Sequence, residues 1–426
     1  SRPDRRPPSE KFRLTFHQYL EKYPPGVTPI VEYERARTER FNPDDTRART
    51  NYLSVDAEDI AAIKTAHTGV VAAITTESSA PTPPYIPGTK GIVSTAGDIY
   101  LPVLVISLRM LRRTGPTLPM EVFFAHEHEY EEYICDVVLP SLDARCIIPS
   151  SILTTSPATI EKYQFKPFAM LFSSFEELLF LDADAFPIDK PETLFRSDPF
   201  RTTGLVTWPD FWGWPSRRAS TRSPARQRNR WRCAKLPSRA RCFCRRGHMR
   251  ARSCLLRTTC NYWGPSHYYL LLSQGAAGEG DKETFLAAAS AMHQPFYQVS
   301  EPVVALGHRK DKNGGFAGST MAQFNPVQDY KLTRARIARV RGDDAPPPDV
   351  FFIHANFPKF NPGTVFEVHE VNPAFTDDGE YTRAWTIPEE VVGRFSQVED
   401  MERAFWKEVK WAACELEERF VSLAGI

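Results

Sequence analysis

Glu177-Leu-Leu-Phe-Leu181 is an apolar run of strand length that ends in Asp182-Ala-Asp-Ala-Phe-Pro187. Stopped by the turn signal Phe186-Pro187, it reads as a buried strand. Its surroundings narrow the fold. Gly91–Thr95 reads as a first strand, Ala96-Gly97-Asp98 as a turn, Ile99–Arg113 as an amphipathic helix and Met120–Ala125 as a second strand. A helix over Tyr163–Phe175 leads into the Asp-X-Asp strand. Later come strands over Gly204–Trp208 and Val350–Ile353, helices over Gly264–Gln274 and Asp281–Met292, and an amphipathic helix over Val398–Ala424. Alternation at about 30 residues per unit predicts βαβ units, hence an α/β fold with a mixed, mainly parallel sheet flanked by helices.

Side chains in a strand alternate faces, so Asp182 and Asp184 are expected to point the same way, about 7 Å apart. The carboxyl end of a strand in such a sheet is where ligands bind. Two like charges there need a cation, and hard oxygen ligands suit Mn²⁺ or Mg²⁺ shared with substrate phosphates. The turn Thr95-Ala-Gly97 offers backbone that approaches a nucleoside closely. Phe351-Phe-Ile-His354-Ala-Asn-Phe-Pro-Lys359 puts an imidazole after a late strand and an ammonium five residues on. The first suits Mn²⁺ and the second a phosphate. The bland alternatives are solvated aspartates in a turn and a structural histidine.

A chain of 426 residues holds one large domain or two smaller ones. No stretch approaches the ~20 apolar residues of a membrane span. Ser1–Glu10 is charged and Pro-rich, Val55–Ile74 has helical patterning, and Pro81-Thr-Pro-Pro-Tyr-Ile-Pro-Gly88 marks a boundary. Residues 1–90 are therefore expected to form a stem or helical region and 91–425 the main domain. The chain starts at Ser1 rather than Met, so any anchor is expected upstream. Eight irregularly spaced cysteines form no recognisable disulfide framework.

Seven segments carry a resemblance when taken in order. They are Gly91-Ile-Val-Ser-Thr-Ala-Gly-Asp98, Leu108-Arg-Met-Leu-Arg-Arg-Thr-Gly115, Leu118-Pro-Met-Glu-Val-Phe123 and Gln164-Phe-Lys-Pro-Phe-Ala169. Glu177–Asp184, Trp208-Pro-Asp-Phe-Trp212 and Gly280-Asp-Lys-Glu-Thr-Phe285 complete the set. Together they resemble the fungal Golgi α-mannosyltransferases that extend cell-wall mannan. The resemblance implies a GT-A-type fold, GDP-mannose as donor, Mn²⁺ (or Mg²⁺), a glycan acceptor and a type II Golgi membrane protein. It gives nucleic acid no role.

Carried over by residue, it implies that Asp182 and Asp184 hold metal and diphosphate, with His354 as a further metal ligand. Thr95, Gly97, Lys166 and Lys359 would serve the donor. Asp210, Asp281 and Glu283 would be catalytic or sugar-binding; an N-cap at Asp281 is the plain alternative. Two function alternatives stay open: a transferase using a UDP-sugar and a polyanion-binding protein.

The second alternative rests on residues 216–257, which hold fourteen arginines, one lysine and no acid. The overall charge of +1 thus hides 38 basic against 52 acidic groups elsewhere. Between Trp212 and Asn261 the family pattern is lost. Basic clusters bind polyanions, and Cys233, Cys242, Cys244, Cys254, Cys260 and His248 invite a zinc reading at unusual spacing. The third account is translation out of frame across 213–260. Residues 237–250 have a back-translation that, read from the third base, yields Glu-Ser-Gly-Gln-Met-Leu-Leu-Ser-Lys-Arg-Pro-His-Ala, which restores the missing Glu-Ser-Gly-Gln.

Overall fold

The computed structural model describes residues 12, 16, 20–32, 39–40, 53–76, 83, 85–148, 164–209, 212–213, 242–245, 255–260, 262–273, 282–309, 316–339, 342–364, 383–395 and 400–416. The strands that matter below are β1 (Ile86–Thr95), β2 (Met120–Phe123), β3 (Ala144–Ile147), β4 (Phe175–Phe180) and β5 (Ala185–Pro187). They continue with β6 (Leu205–Thr207), β7 (Cys242–Arg245), β8 (Val304–Arg309), β9 (Phe316–Phe324) and β10 (Val350–His354). The helices are α1 (Ala57–Thr76), α2 (Leu101–Arg113), α3 (Phe165–Phe172), α4 (Lys282–Ala291), α5 (Pro326–Arg334) and α6 (Met401–Leu416).

Two compact units share the chain: residues 1–91, 149–179 and 203–297 in one, and 92–148, 180–202 and 298–426 in the other. In the first, α1 buries Ile63, Val70, Ala73 and Ile74, the helical spacing expected of its sequence. Ile63 joins Ile30, Leu53 and Leu271 in a small apolar cluster. Strands run in the order β6-β7-β4-β1, with Cys242 of β7 antiparallel to Thr207 of β6. The Phe175 ring lies against Gly91, where a Cβ would come within 2.2 Å, so only glycine admits it.

The second unit contains two sheets. The end of β1 pairs in parallel with β2, and β2 with β3, as the alternation predicted. The other sheet, ordered β8-β9-β10-β5, is antiparallel throughout. Helix α2 starts at Leu101 rather than Ile99. Asp98 adopts a positive φ of 46°, a short 3₁₀ turn follows, and Pro102 sits in the first α-helical turn, where no amide is needed. Nine of the 13 helical residues are buried.

Helix α6 packs on α2 through a buried carboxylate. Glu408 accepts from Arg109 Nε at 2.6 Å and from Arg113 at 3.0 Å, and Arg109 also lies 3.7 Å over the Trp411 ring. Asp400 Oδ1 accepts the Arg403 amide at 3.1 Å, an N-cap that starts α6 at Met401 instead of Val398. A shared core of Phe186, Phe324, Ile353, Phe360, Trp385 and Phe405 lies on one face of the antiparallel sheet.

Cys135 and Cys146 form a disulfide, a pairing that their irregular spacing did not reveal. Cys260 is a free, buried thiol whose pKa burial pushes up to about 12. Among the described residues no helix is long and apolar enough to cross a membrane.

Candidate functional site

Strand β4 ends at Phe180, and Ala185 N donates to Asp182 O at 3.0 Å, so residues 182–185 turn instead of extending. The alternation that was to align Asp182 with Asp184 therefore stops at Phe180. What positions Asp184 is the next strand. β5 pairs with β10, setting Ala185 opposite His354, and Ala355 N donates to Asp184 O at 2.8 Å. His354 Nε2 then lies 2.8 Å from Asp184 Oδ1. Lys359 Nζ donates to the other oxygen, Oδ2. Two groups named from one late stretch of sequence thus meet at a carboxylate named from another.

Asp184 and His354 are 6% and 5% exposed. Burial alone would raise the Asp184 carboxyl. The charges and hydrogen bonds of His354 and Lys359 outweigh it and hold the group well below the usual carboxylate range. Burial likewise opposes the Lys359 ammonium, but Asp184, aided by Tyr100 and Asp182, raises its pKa. Asp182 therefore acts electrostatically on the same cluster. A carboxylate beside an imidazole is a donor set that suits Mn²⁺, and a partly exposed ammonium suits a phosphate.

The loop after β10 is tied at several points. Phe360 is buried against Trp385, Phe405 and Trp406, with ring centroids 5.4, 5.7 and 4.6 Å away. Asn361 Nδ2 donates to Ile99 O at 2.8 Å, linking this loop to the turn that follows β1. Lys359 Nζ also stands 5.7 Å from the Tyr100 ring.

Thr95 closes β1 and Gly97 begins that turn. A Cβ on Gly97 would meet the Glu129 carboxylate at 2.6 Å. Glu129 Oε2 is itself held by the amides of Ala125 and His126 at 2.7 and 3.1 Å. Asp98, His128 and Glu129 bring ligand atoms within 4.8 Å of one another. His128 and Glu129 were missed in the sequence. The signal was available, because they follow β2 as Asp98 follows β1, at the carboxyl ends of adjacent parallel strands.

The remaining expected residues lie in the other compact unit or outside the described residues. Lys166 lies in the first turn of α3, in the other compact unit. Asp210 and Asp281 fall outside the described residues, and for Glu283 only the backbone, in α4, is described. Of the cysteines and histidine of the zinc reading, Cys233, Cys254 and His248 are also outside them.

The mannosyltransferase family Mannosyl_trans3 matches residues 89–223 and 245–325. Alpha-1,2-mannosyltransferase MNN21 of Candida albicans is 33% identical over 417 residues, covering 79% of this chain and 61% of that protein. Alpha-1,2-mannosyltransferase MNN2 of Saccharomyces cerevisiae is 30% identical, covering 80% and 67%. The chain belongs to the Mannosyl_trans3 family. It spans 61%, 55% and 56% of the length of three of the Candida albicans relatives. The Mannosyl_trans3 match includes Thr95, Gly97, Lys166, Asp182, Asp184, Asp210, Asp281 and Glu283 but stops before His354 and Lys359. Its one internal gap, 224–244, falls within the basic segment. Among solved structures, the galactosyltransferase LgtC is similar at a TM-score of 0.34 and 14% identity, covering 71% of this chain and 99% of that one. The glycosyltransferase GlyE of Streptococcus pneumoniae scores 0.31 at 12% identity, covering 49% and 45%. At these scores the likeness carries no argument about this chain.

Proposed function

We propose that this Mannosyl_trans3 chain is the catalytic portion of an α-mannosyltransferase that moves mannose from GDP-mannose to a hydroxyl of a mannan or glycoprotein glycan, with retention of configuration. The convergence of His354 and Lys359 on Asp184 is the observation that carries it. Asp184, His354 and Asp182 would hold a Mn²⁺ or Mg²⁺ ion. When bound, such an ion supplies charge neutralisation for a departing diphosphate. Lys359 adds a fixed positive charge beside the same position, and Asp184, ionised at every physiological pH, stays an acceptor-only ligand. The turn Thr95–Gly97, joined to the Lys359 loop through Asn361, offers backbone groups to a nucleoside. Lys166, Asp210, Asp281 and Glu283 are proposed donor- or acceptor-site groups on the family pattern alone.

A Golgi lumenal location, through a membrane anchor outside this chain, is part of the same reading. The Cys135–Cys146 disulfide supports an oxidising compartment, since such bonds persist there. We also propose that residues 213–260 are translated out of frame, a reading that the gap at 224–244 favours.

Calorimetric titration with GDP-mannose, with and without Mn²⁺, tests the reading on this chain, on Asp182→Ala/Asp184→Ala, and on the chain with the shifted segment restored. Mn²⁺-dependent binding, lost in the double variant, is expected at least for the restored chain. Protection by UDP rather than GDP in thermal unfolding moves the donor to a UDP-sugar. Binding by neither chain sinks the proposal.

A further inference from the structure

Both side-chain oxygens of Asp184 are engaged by the chain itself. His354 Nε2 lies 2.8 Å from Oδ1, and Lys359 Nζ donates to Oδ2. At that separation Nε2 carries a proton that points at the carboxylate, because two bare lone pairs repel. A ring nitrogen that donates in this way has no lone pair to offer a metal ion. Two groups that would ligate a divalent cation are thus bonded to each other, and the second oxygen is bonded to a lysine.

Charge holds the lysine there. Burial opposes its ammonium, but Asp184, aided by Tyr100 and Asp182, outweighs that cost. A dication shared by the two carboxylates is drawn into the same field, where it and the ammonium repel each other. The two therefore compete for one place. The lysine can leave it without disturbing the fold. Phe360 sits 4.6 Å from the Trp406 ring, and Asn361 Nδ2 donates to Ile99 O at 2.8 Å, so the backbone just beyond Lys359 is fixed. The Lys359 side chain is 28% exposed against 8% for Asp184, and its Nζ stands 5.7 Å from the Tyr100 ring. Rotation of that side chain alone takes the ammonium off Asp184, while Ala355 N keeps its bond to Asp184 O.

We propose that Lys359 is a resident stand-in for the divalent cation at Asp184, and that the ion binds weakly for as long as the lysine stays there. This rests on the metal-dependent mannosyltransferase reading and adds a control to that site. A diphosphate gives a displaced ammonium a new anion to pair with. The stand-in therefore ties entry of the ion to the presence of the donor.

Mn²⁺ titrations without nucleotide, followed by electron paramagnetic resonance, test this on wild type and on two neutral variants, Lys359→Met and Lys359→Gln. Lys359→Arg keeps the charge, and Lys359→Met/Asp184→Asn removes the carboxylate. Circular dichroism checks that each protein is folded, and either neutral variant suffices. Affinity about ten-fold tighter in the neutral variants than in wild type is expected, within about two-fold of wild type in Lys359→Arg, and lost in the double variant. Equal affinity in wild type and the neutral variants, lost with Asp184, leaves the metal site standing and overturns the stand-in. Tighter binding by wild type also overturns it, since the lysine would then assist the ion. No Mn²⁺ binding by the neutral variants, or binding indifferent to Asp184→Asn, removes the metal site and with it the reading on which the stand-in rests.

Discussion

A double-variant cycle on Asp184→Asn and Lys359→Met measures whether the central pair is as strongly coupled as its geometry implies. Asn keeps the shape of the side chain, so the cycle reports charge. Removing one partner of a fully buried pair costs about 3–5 kcal/mol, because the other charge is left uncompensated. Here the Asp184 side chain is 8% exposed but Lys359 is 28% exposed, and the freed ammonium regains some water. A loss nearer 2–3 kcal/mol is expected for Asp184→Asn by the same principle. Lys359→Met should cost less, about 1–2 kcal/mol, because His354 still bonds Asp184. Residues in one ion-pair network couple by about 0.5–3 kcal/mol, and a value of about 1–2 is expected. Urea unfolding followed by circular dichroism supplies the four stabilities, provided the m-value holds across variants. Additivity within about 0.3 kcal/mol would refute the argument, since it would mean that the two charges do not sense each other.

Three further outcomes concern the pH dependence of this cluster, the disulfide and the turn after β1. The depressed Asp184 pKa contributes stability that is present above its ordinary value of 3.8 and is lost as pH falls through the lowered one. The raised Lys359 pKa contributes below its ordinary 10.5 and is lost as pH climbs through the raised value. The melting-temperature gap between wild type and Asp184→Asn should narrow in strong acid, as pH falls through the lowered value; a gap that widens there contradicts the assignment. Reducing Cys135–Cys146, which closes a loop of sequence separation 11, should cost about 3 kcal/mol at most. Cys135→Ser should match it in denaturant titrations, and a reductant-insensitive protein would show the bond absent. Gly97→Ala must push the Glu129 carboxylate off two backbone amides, at about 1–2 kcal/mol, and should cost clearly less in a Glu129→Ala background.

The parts legible in the sequence were those whose cause is local. The apolar run before Asp182, the α2 stripe and β1 followed by its glycine turn announce themselves through periodicity and turn residues. β5 did not, because three residues carry no period. β9 did not, because Phe316-Ala-Gly-Ser-Thr mixes small and polar residues and includes Gly318 at a φ of 100°. Yet the site depends on these two unread strands. Phe186 and Ile353 are paired across β5 and β10, both are fully buried, and both belong to the core shared with Trp385 and Phe405. Ala185 and His354 are the next pair along the same ladder. Strand faces alternate, so fixing Phe186 and Ile353 toward the core turns His354 to the opposite face, toward Asp184. A one-residue slip would send His354 into the core and Ile353 to the carboxylate. The hydrophobic packing on one side of this small sheet therefore sets the register that assembles the charged cluster on the other. That is why His354 and Lys359, both candidates in the sequence, could be named there but their meeting at Asp184 could not.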